Sequence, residues 1–258
     1  MAFLDDVERV LYEKNPLESV ICQVRFPTIL RIDSELPSAF QDRIRERFPL
    51  FNESSDQEIA IPDQVTKLLG RQFAEAMPGR SYNFTSEDGT WQASLTRDFL
   101  AFTCRKYERW EVFQEQFEIP LSALTEVYKP SFYSRVGLRY RDVIRRSALG
   151  IQGVPWRQLL KPQVAGELGD EGLADHIKSQ KKEMIFDLPD SAKARMVQAI
   201  GNSKGEQVYL IDTDFFTTEK TEANDVWGRL GTFNRYARWA FRWCISDELH
   251  RAMGPKSI

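Results

Sequence analysis

The chain has 258 residues, 42% of them hydrophobic and 28% charged, with a net charge of −3. Those values describe a folded globular protein of one large or two small domains and exclude collagen-like and disordered chains. They also exclude a globally basic nucleic-acid coat, though not a local basic patch.

No apolar run approaches the ~18–20 residues of a membrane span, and the acidic N-terminus is no secretory signal. Cys22, Cys104 and Cys244 are odd in number and far apart, which reads as reduced thiols in a cytoplasmic protein. With only His176 and His250 present, most zinc sites and most histidine catalysis are excluded.

In chain order, residues 1–14 read as a short helix or an arm. Residues 17–26 read as a strand, with Val20, Cys22, Val24 and Phe26 alternating against Ile21, Gln23 and Arg25. Leu36, Phe40, Ile44 and Phe48 then repeat every four residues, a helix opened by Pro37 and ended by Pro49. The stretch 52–80 is mixed, with a short helix expected over 63–75.

Strands at 81–86 and from Trp91 flank Glu87-Asp88-Gly89-Thr90, a hairpin signal, and a turn at Arg97-Asp98 leads into 99–106. Trp110, Phe113, Phe117, Leu121, Leu124 and Tyr128 mark one helical face, with a kink or restart expected at Pro120. Residues 132–144 return to strand. The order strand, helix, strands, helix, strand predicts a ferredoxin-like split β-α-β unit with extra elements.

A looser stretch, 147–179, holds a short helix near Trp156. Strands follow at 182–188, 194–200 and 208–216, with residues 201–205 as a hairpin turn. One long helix is expected over 225–253, stopped by Gly254-Pro255. Its stripe is Leu230, Phe233, Ala237, Phe241, Cys244 and Ile245. A second ridge of Tyr236, Trp239 and Trp243 is a candidate interface, so the helix is expected to pack on both halves. The fold class is α+β, organised as an N-terminal half (1–146), an irregular connector (147–180) and a strand-plus-helix half (181–258).

Chemistry is sparse. The phosphate loops G-x-x-x-x-G-K-[ST] and G-x-G-x-x-G are absent from the sequence. Asp212 and Asp214 sit two apart on a strand and so share a face, a weak candidate metal site through oxygen ligands. Neither histidine is set beside a nucleophile and an orienting third group.

The one local anomaly is electrostatic. Residues 131–161 hold seven basic side chains against the single acid Asp142, which leaves −9 for the rest of the chain. Strand parity puts Val136, Leu138, Tyr140 and Ile144 on one face and Arg135, Arg139, Arg141 and Arg145 on the other. Such a ladder suits phosphate or carboxylate clamping, and Arg25 of the first strand joins it if the two strands pair. The same arginines equally suit an interface with acids of the second half, or a solvated sheet face.

Three stretches carry a resemblance: 15–32 (NPLESVICQVRFPTILRI), 133–146 (YSRVGLRYRDVIRR) and 230–255 (LGTFNRYARWAFRWCISDELHRAMGP), with 209–214 (YLIDTD) between the last two. Together they resemble a sporadically distributed family of bacterial proteins of about this length. The resemblance spans both ends and the middle, and it brings no catalytic residues with it. It implies a bacterial, cytoplasmic, stand-alone protein, and its patchy distribution implies a mobile or defence-associated gene.

The expected function is a non-enzymatic binding or adaptor protein in a bacterial defence or toxin–antitoxin setting, with another protein as partner and no cofactor. Nucleic-acid binding on the arginine face and a metal-dependent enzyme using Asp212 and Asp214 are the alternatives. The oligomeric state is left open.

Overall fold

The computed structural model describes residues 7–56 and 78–257. The helix expected over 63–75 lies outside them. In chain order the strands are β1 (Val10–Tyr12), β2 (Leu17–Arg25), β3 (Leu50–Asp56), β4 (Pro78–Thr85), β5 (Trp91–Leu95), β6 (Phe99–Cys104), β7 (Arg135–Arg145), β8 (Gln180–Leu188), β9 (Ala192–Ser203), β10 (Glu206–Thr217) and β11 (Pro255–Ser257). The α-helices are α1 (Leu30–Ser34), α2 (Ser38–Ile44), α3 (Trp110–Tyr128), α4 (Arg146–Leu149), α5 (Trp156–Leu159), α6 (Pro162–Ala165), α7 (Val226–Cys244) and α8 (Asp247–Ala252).

Nine strands form one sheet in the order β3-β4-β5-β6-β2-β7-β10-β9-β8, and every neighbouring pair is antiparallel. β7 and β10 pair continuously from Val208↔Arg145 to Thr217↔Val136, so a single sheet runs from the N-terminal strands into the C-terminal ones. The result is an α+β protein with a large antiparallel sheet and a long helix near the C-terminus.

The helices share one face of that sheet, the face presented by Cys22, Phe102, Leu138 and Phe215. Phe40 of α2 lies 5.5 Å from Phe84, Phe117 of α3 lies 5.3 Å from Phe102, and Tyr236 of α7 lies 6.3 Å from Phe215. One continuous core fills the space between. The opposite face holds a small apolar cluster of Val143, Val197, Ala199, Val208 and Leu210 beside its charged residues.

Four expectations change. Residues 10–12, expected in a helix or arm, form β1, which pairs Val10 with Ser257 and Tyr12 with Pro255. The backbone groups of the N-terminal segment are therefore met by the C-terminal one. β3 was not expected; it pairs with β4 at the sheet edge. The helix through Pro120 runs from Trp110 to Tyr128 as one element, with Pro120 buried on its core face. The long C-terminal helix, by contrast, breaks at Ile245, whose backbone is extended (φ −104°, ψ 149°). There Ser246 caps α8 by accepting from the Leu249 N–H, with Asp247 and Glu248 in the first turn. Lys161 N–H donates to the Cys244 carbonyl and Ser246 N–H to the Leu159 carbonyl, which fixes the break.

The β9–β10 hairpin turns through Lys204 (φ 53°) and Gly205 (φ 84°), the double left-handed geometry that matches strand twist. No helix among the described residues is long and apolar enough to cross a membrane.

Candidate functional site

β7 is the strand that matters, because its two faces carry opposite problems. On the odd positions stand the four arginines named from the sequence, and the antiparallel register sets Asp212 opposite Arg141 and Asp214 opposite Arg139. The ion pairs run diagonally, within reach of long side chains. Arg139 grips Asp212 with two donors, Nε to Oδ1 at 2.7 Å and Nη2 to Oδ2 at 2.6 Å. Arg135 pairs with Asp214 at 2.7 Å and donates to Gln23 Oε1 at 3.0 Å. Gly137 makes room for that reach, since a Cβ there would overlap the Arg135 guanidinium. Arg145 pairs with Glu18 at 3.0 Å and Arg25 with Asp98 at 2.7 Å.

Arg141 is the exception. It has no solvent exposure, its Nε stands 3.5 Å from Asp212 Oδ2, and none of its three nitrogens makes a hydrogen bond among the described residues. Burial lowers its pKa to about 10, against the pull of Asp212. Arg139 shows the reverse: burial lowers its pKa too, but the charge and hydrogen bonds of Asp212 outweigh that and hold it above the ordinary value. A carboxylate offers one bidentate edge to a guanidinium fork, and Arg139 takes it.

Asp212 and Asp214, the candidate metal ligands, thus serve as counter-ions to the ladder. No cluster of three or more His, Cys, Asp or Glu able to hold a metal occurs among the described residues. The thiols of Cys22, Cys104 and Cys244 are buried, and burial pushes their pKa values up, to about 12 for Cys104 and Cys244. Protonated thiols of that kind are poor nucleophiles.

The aromatic ridge of α7 divides. Tyr236 is buried, 5.5 Å from the Trp239 ring, while Trp239 and Trp243 are partly buried against the main core. Trp227 carries the contact to α3, 5.7 Å from Phe117.

On the even positions of β7, Tyr140 and Asp142 face the helices and open on a cavity of about 140 Å³. Four parts of the chain build it: the β1 strand and the turn after it, the segment entering α3, β7, and the middle of α7. Tyr140 donates its hydroxyl hydrogen to Asn234 Oδ1 at 2.8 Å, and the Tyr107 ring stands edge-on to Tyr140 at 5.9 Å. Tyr12 meets His250 Nδ1 at 2.8 Å and packs edge-on to Phe241.

Asp142 is only 8% exposed, and no hydrogen bond or ion pair joins it to a described residue. Burial first, and the charge of Asp212 second, push its pKa up to about 8. The walls add Arg9, Arg109, Arg238 and Arg242, of which Arg9 is paired with Glu111 and Arg242 with Asp247.

Sequence reading passed over this site. It registered Asp142 only as the lone acid of a basic stretch, although its parity already set it on the apolar face with Leu138 and Tyr140. An acid at a core-facing strand position is the signal that would have found it.

Neither a scan of protein-family models nor a search of curated proteins returns a match to this chain.

Proposed function

We propose that this chain is a binding protein and that its ligand site is the cavity between β7, α7, the α3 entry and the paired chain ends. The observation that carries the reading is Asp142, a nearly buried carboxyl without a partner that faces open space. Buried polar groups are almost always satisfied by protein or by ordered water, so a carboxyl whose open side is a cavity supports a ligand contact there. Binding is favoured over nucleophilic catalysis because the thiols are buried and His250 is engaged by Tyr12. Nucleic-acid binding on the arginine face is disfavoured, because those guanidiniums spend their charge on Asp212, Asp214, Glu18 and Asp98.

Two further readings belong to the proposal. β5-β6-β2-β7, with α1 and α2 after β2 and α3 after β6, reads as the split β-α-β unit; the antiparallel order supports it. A bacterial, defence-related setting rests on the family resemblance, a cytoplasmic one also on the odd, scattered cysteines, and a protein partner on the 12% aromatic content.

The test is a thermal-shift screen of the full chain against a small-metabolite library, run in parallel on Ala237→Leu, which fills the cavity from its α7 wall. A saturable rise in Tm in the parent that the variant abolishes is the expected result. No response from the parent, or one the filled variant keeps, overturns the reading.

A further inference from the structure

The cavity's dimensions and wall chemistry constrain its occupant. Its volume of about 140 Å³ is close to the ~150 Å³ at which an engineered protein cavity admits benzene. That volume matches one aromatic ring. Tyr107, Trp110, Tyr12 and Phe241 supply flat apolar walls, which hold a planar group at little entropic cost.

The polar groups are unevenly placed. Asn234 has given its Oδ1 to Tyr140, so its amide N–H₂ is what it offers to a ligand. Asp142 in its protonated form is a second donor. The floor therefore presents donors and favours a ring with acceptor atoms on its inner edge. At the walls four arginines stand against Glu8 and Glu108, and Arg109 makes no ion pair with a described residue. Arg9 and Arg242 are spent on Glu111 and Asp247, so Arg109 is the guanidinium that selects for an oxyanion.

We propose that the cavity takes a single heteroaromatic ring bearing an anionic substituent, with ring acceptors against Asp142 and Asn234 and the anion toward Arg109 and its neighbours. This rests on the binding reading above and adds the ligand's chemical class.

Four pyridine- or benzene-based probes separate the contributions when titrated into the full chain by calorimetry and by intrinsic tryptophan fluorescence. They are pyridine-3-carboxylate (ring acceptor and anion), benzoate (anion only), pyridine-3-carboxamide (ring acceptor, neutral) and 3-(aminomethyl)pyridine (ring acceptor, cation). Pyridine-3-carboxylate is expected to bind about tenfold tighter than either the benzoate or the carboxamide, the worth of one hydrogen bond, neutral in the first comparison and charge-assisted in the second.

Arg109→Gln, at an exposed position, should weaken the carboxylate about tenfold and leave the carboxamide unchanged. Equal or tighter binding of the cationic or neutral ring overturns the ligand class while leaving the binding reading intact. So does failure of every probe in a protein whose library screen is positive. Failure of both the probes and the screen overturns the binding reading itself.

Discussion

Arg141 and Asp142 are neighbours in sequence and stand on opposite faces of one strand, and both are almost fully withdrawn from water. On the arginine side, β10 places two carboxylates in register, and the ladder closes on itself through Asp212 and Asp214. On the helix side, the residue opposite Asp142 is Ile211, and no cation reaches the carboxyl. Yet an absent partner alone does not separate the faces, since Arg141 also lacks hydrogen bonds. Space separates them: Arg141 is sealed, whereas Asp142 borders a cavity. Burial without room makes a structural charge, and burial beside room makes the candidate site.

The largest effect should come from the shared counter-ion. Asp212→Asn keeps the shape but leaves Arg139 and Arg141 buried with no carboxylate between them. Breaking a buried pair from one side costs about 3–5 kcal/mol. At ~2–4 °C per kcal/mol for a chain of this size, Tm should fall by roughly 10 °C. A loss under about 1 kcal/mol in urea unfolding would mean that the ladder contributes little and that the two faces do not differ as argued.

Much of this was legible beforehand, and the reasons are local. Alternation marked β2 and β7, because antiparallel strands with one core face repeat every two residues, and a turn signal at residues 201–205 marked the β9–β10 hairpin. The arginine ladder followed from parity alone. What parity could not show was the strand beside β7, and hence that Asp212 and Asp214 meet arginines; pairing partners are tertiary facts. The break at Ile245 was written in Ser246-Asp247-Glu248, a cap signal masked by apolar spacing that runs through it. β1 was illegible because its partner lies at the other end of the chain.

The second test addresses the unpaired side through pH. A carboxyl with a folded pKa of about 8, against an ordinary value of ~3.9, keeps its proton when the unfolded chain has released it. The contribution of Asp142 to stability must therefore fall as pH rises from about 4 to about 8, by at most ~1.4 kcal/mol per unit. Asp142→Asn carries no such proton, so its advantage should widen across that window and level off above it. Glu8 and Glu108 from the chain ends and the α3 entry, and His250 beside Tyr12, are common to both proteins and cancel in the difference. Burial holds the phenols of Tyr12, Tyr107 and Tyr140 above the window, and Arg9, Arg109, Arg238 and Arg242 are common to both proteins. A stability difference flat with pH in paired thermal melts would show that Asp142 is ionised and matched.

A third, smaller effect should have the opposite sign from the first. Arg141→Met removes a sealed charge that makes no hydrogen bond, while Arg139 keeps Asp212 paired. Replacing such an ion by an apolar side chain of similar volume is neutral or stabilising, here by ~0–2 kcal/mol. A loss of more than about 2 kcal/mol would show that the 3.5 Å approach to Asp212 carries real attraction and that Arg141 belongs to the paired set.

The smallest effect belongs to the outer rung of the same ladder. Asp214 and Arg135 are about one-fifth to one-quarter exposed, where Asp212 is 2% exposed. Water already solvates part of both outer charges, so the desolvation that makes the inner pair costly to break is reduced there. Asp214→Asn also leaves Arg135 its bond to Gln23 and its place 4.9 Å over the Phe216 ring. The cost should be ~0–1 kcal/mol and should shrink further at 1 M salt, where the Debye length falls to ~3 Å. The penalty of Asp212→Asn, sealed from ions, should hardly move with salt. Urea unfolding of both variants at low and high salt therefore measures depth along a single ladder. Equal salt sensitivity would place the two rungs in the same environment and remove burial as the cause of their difference.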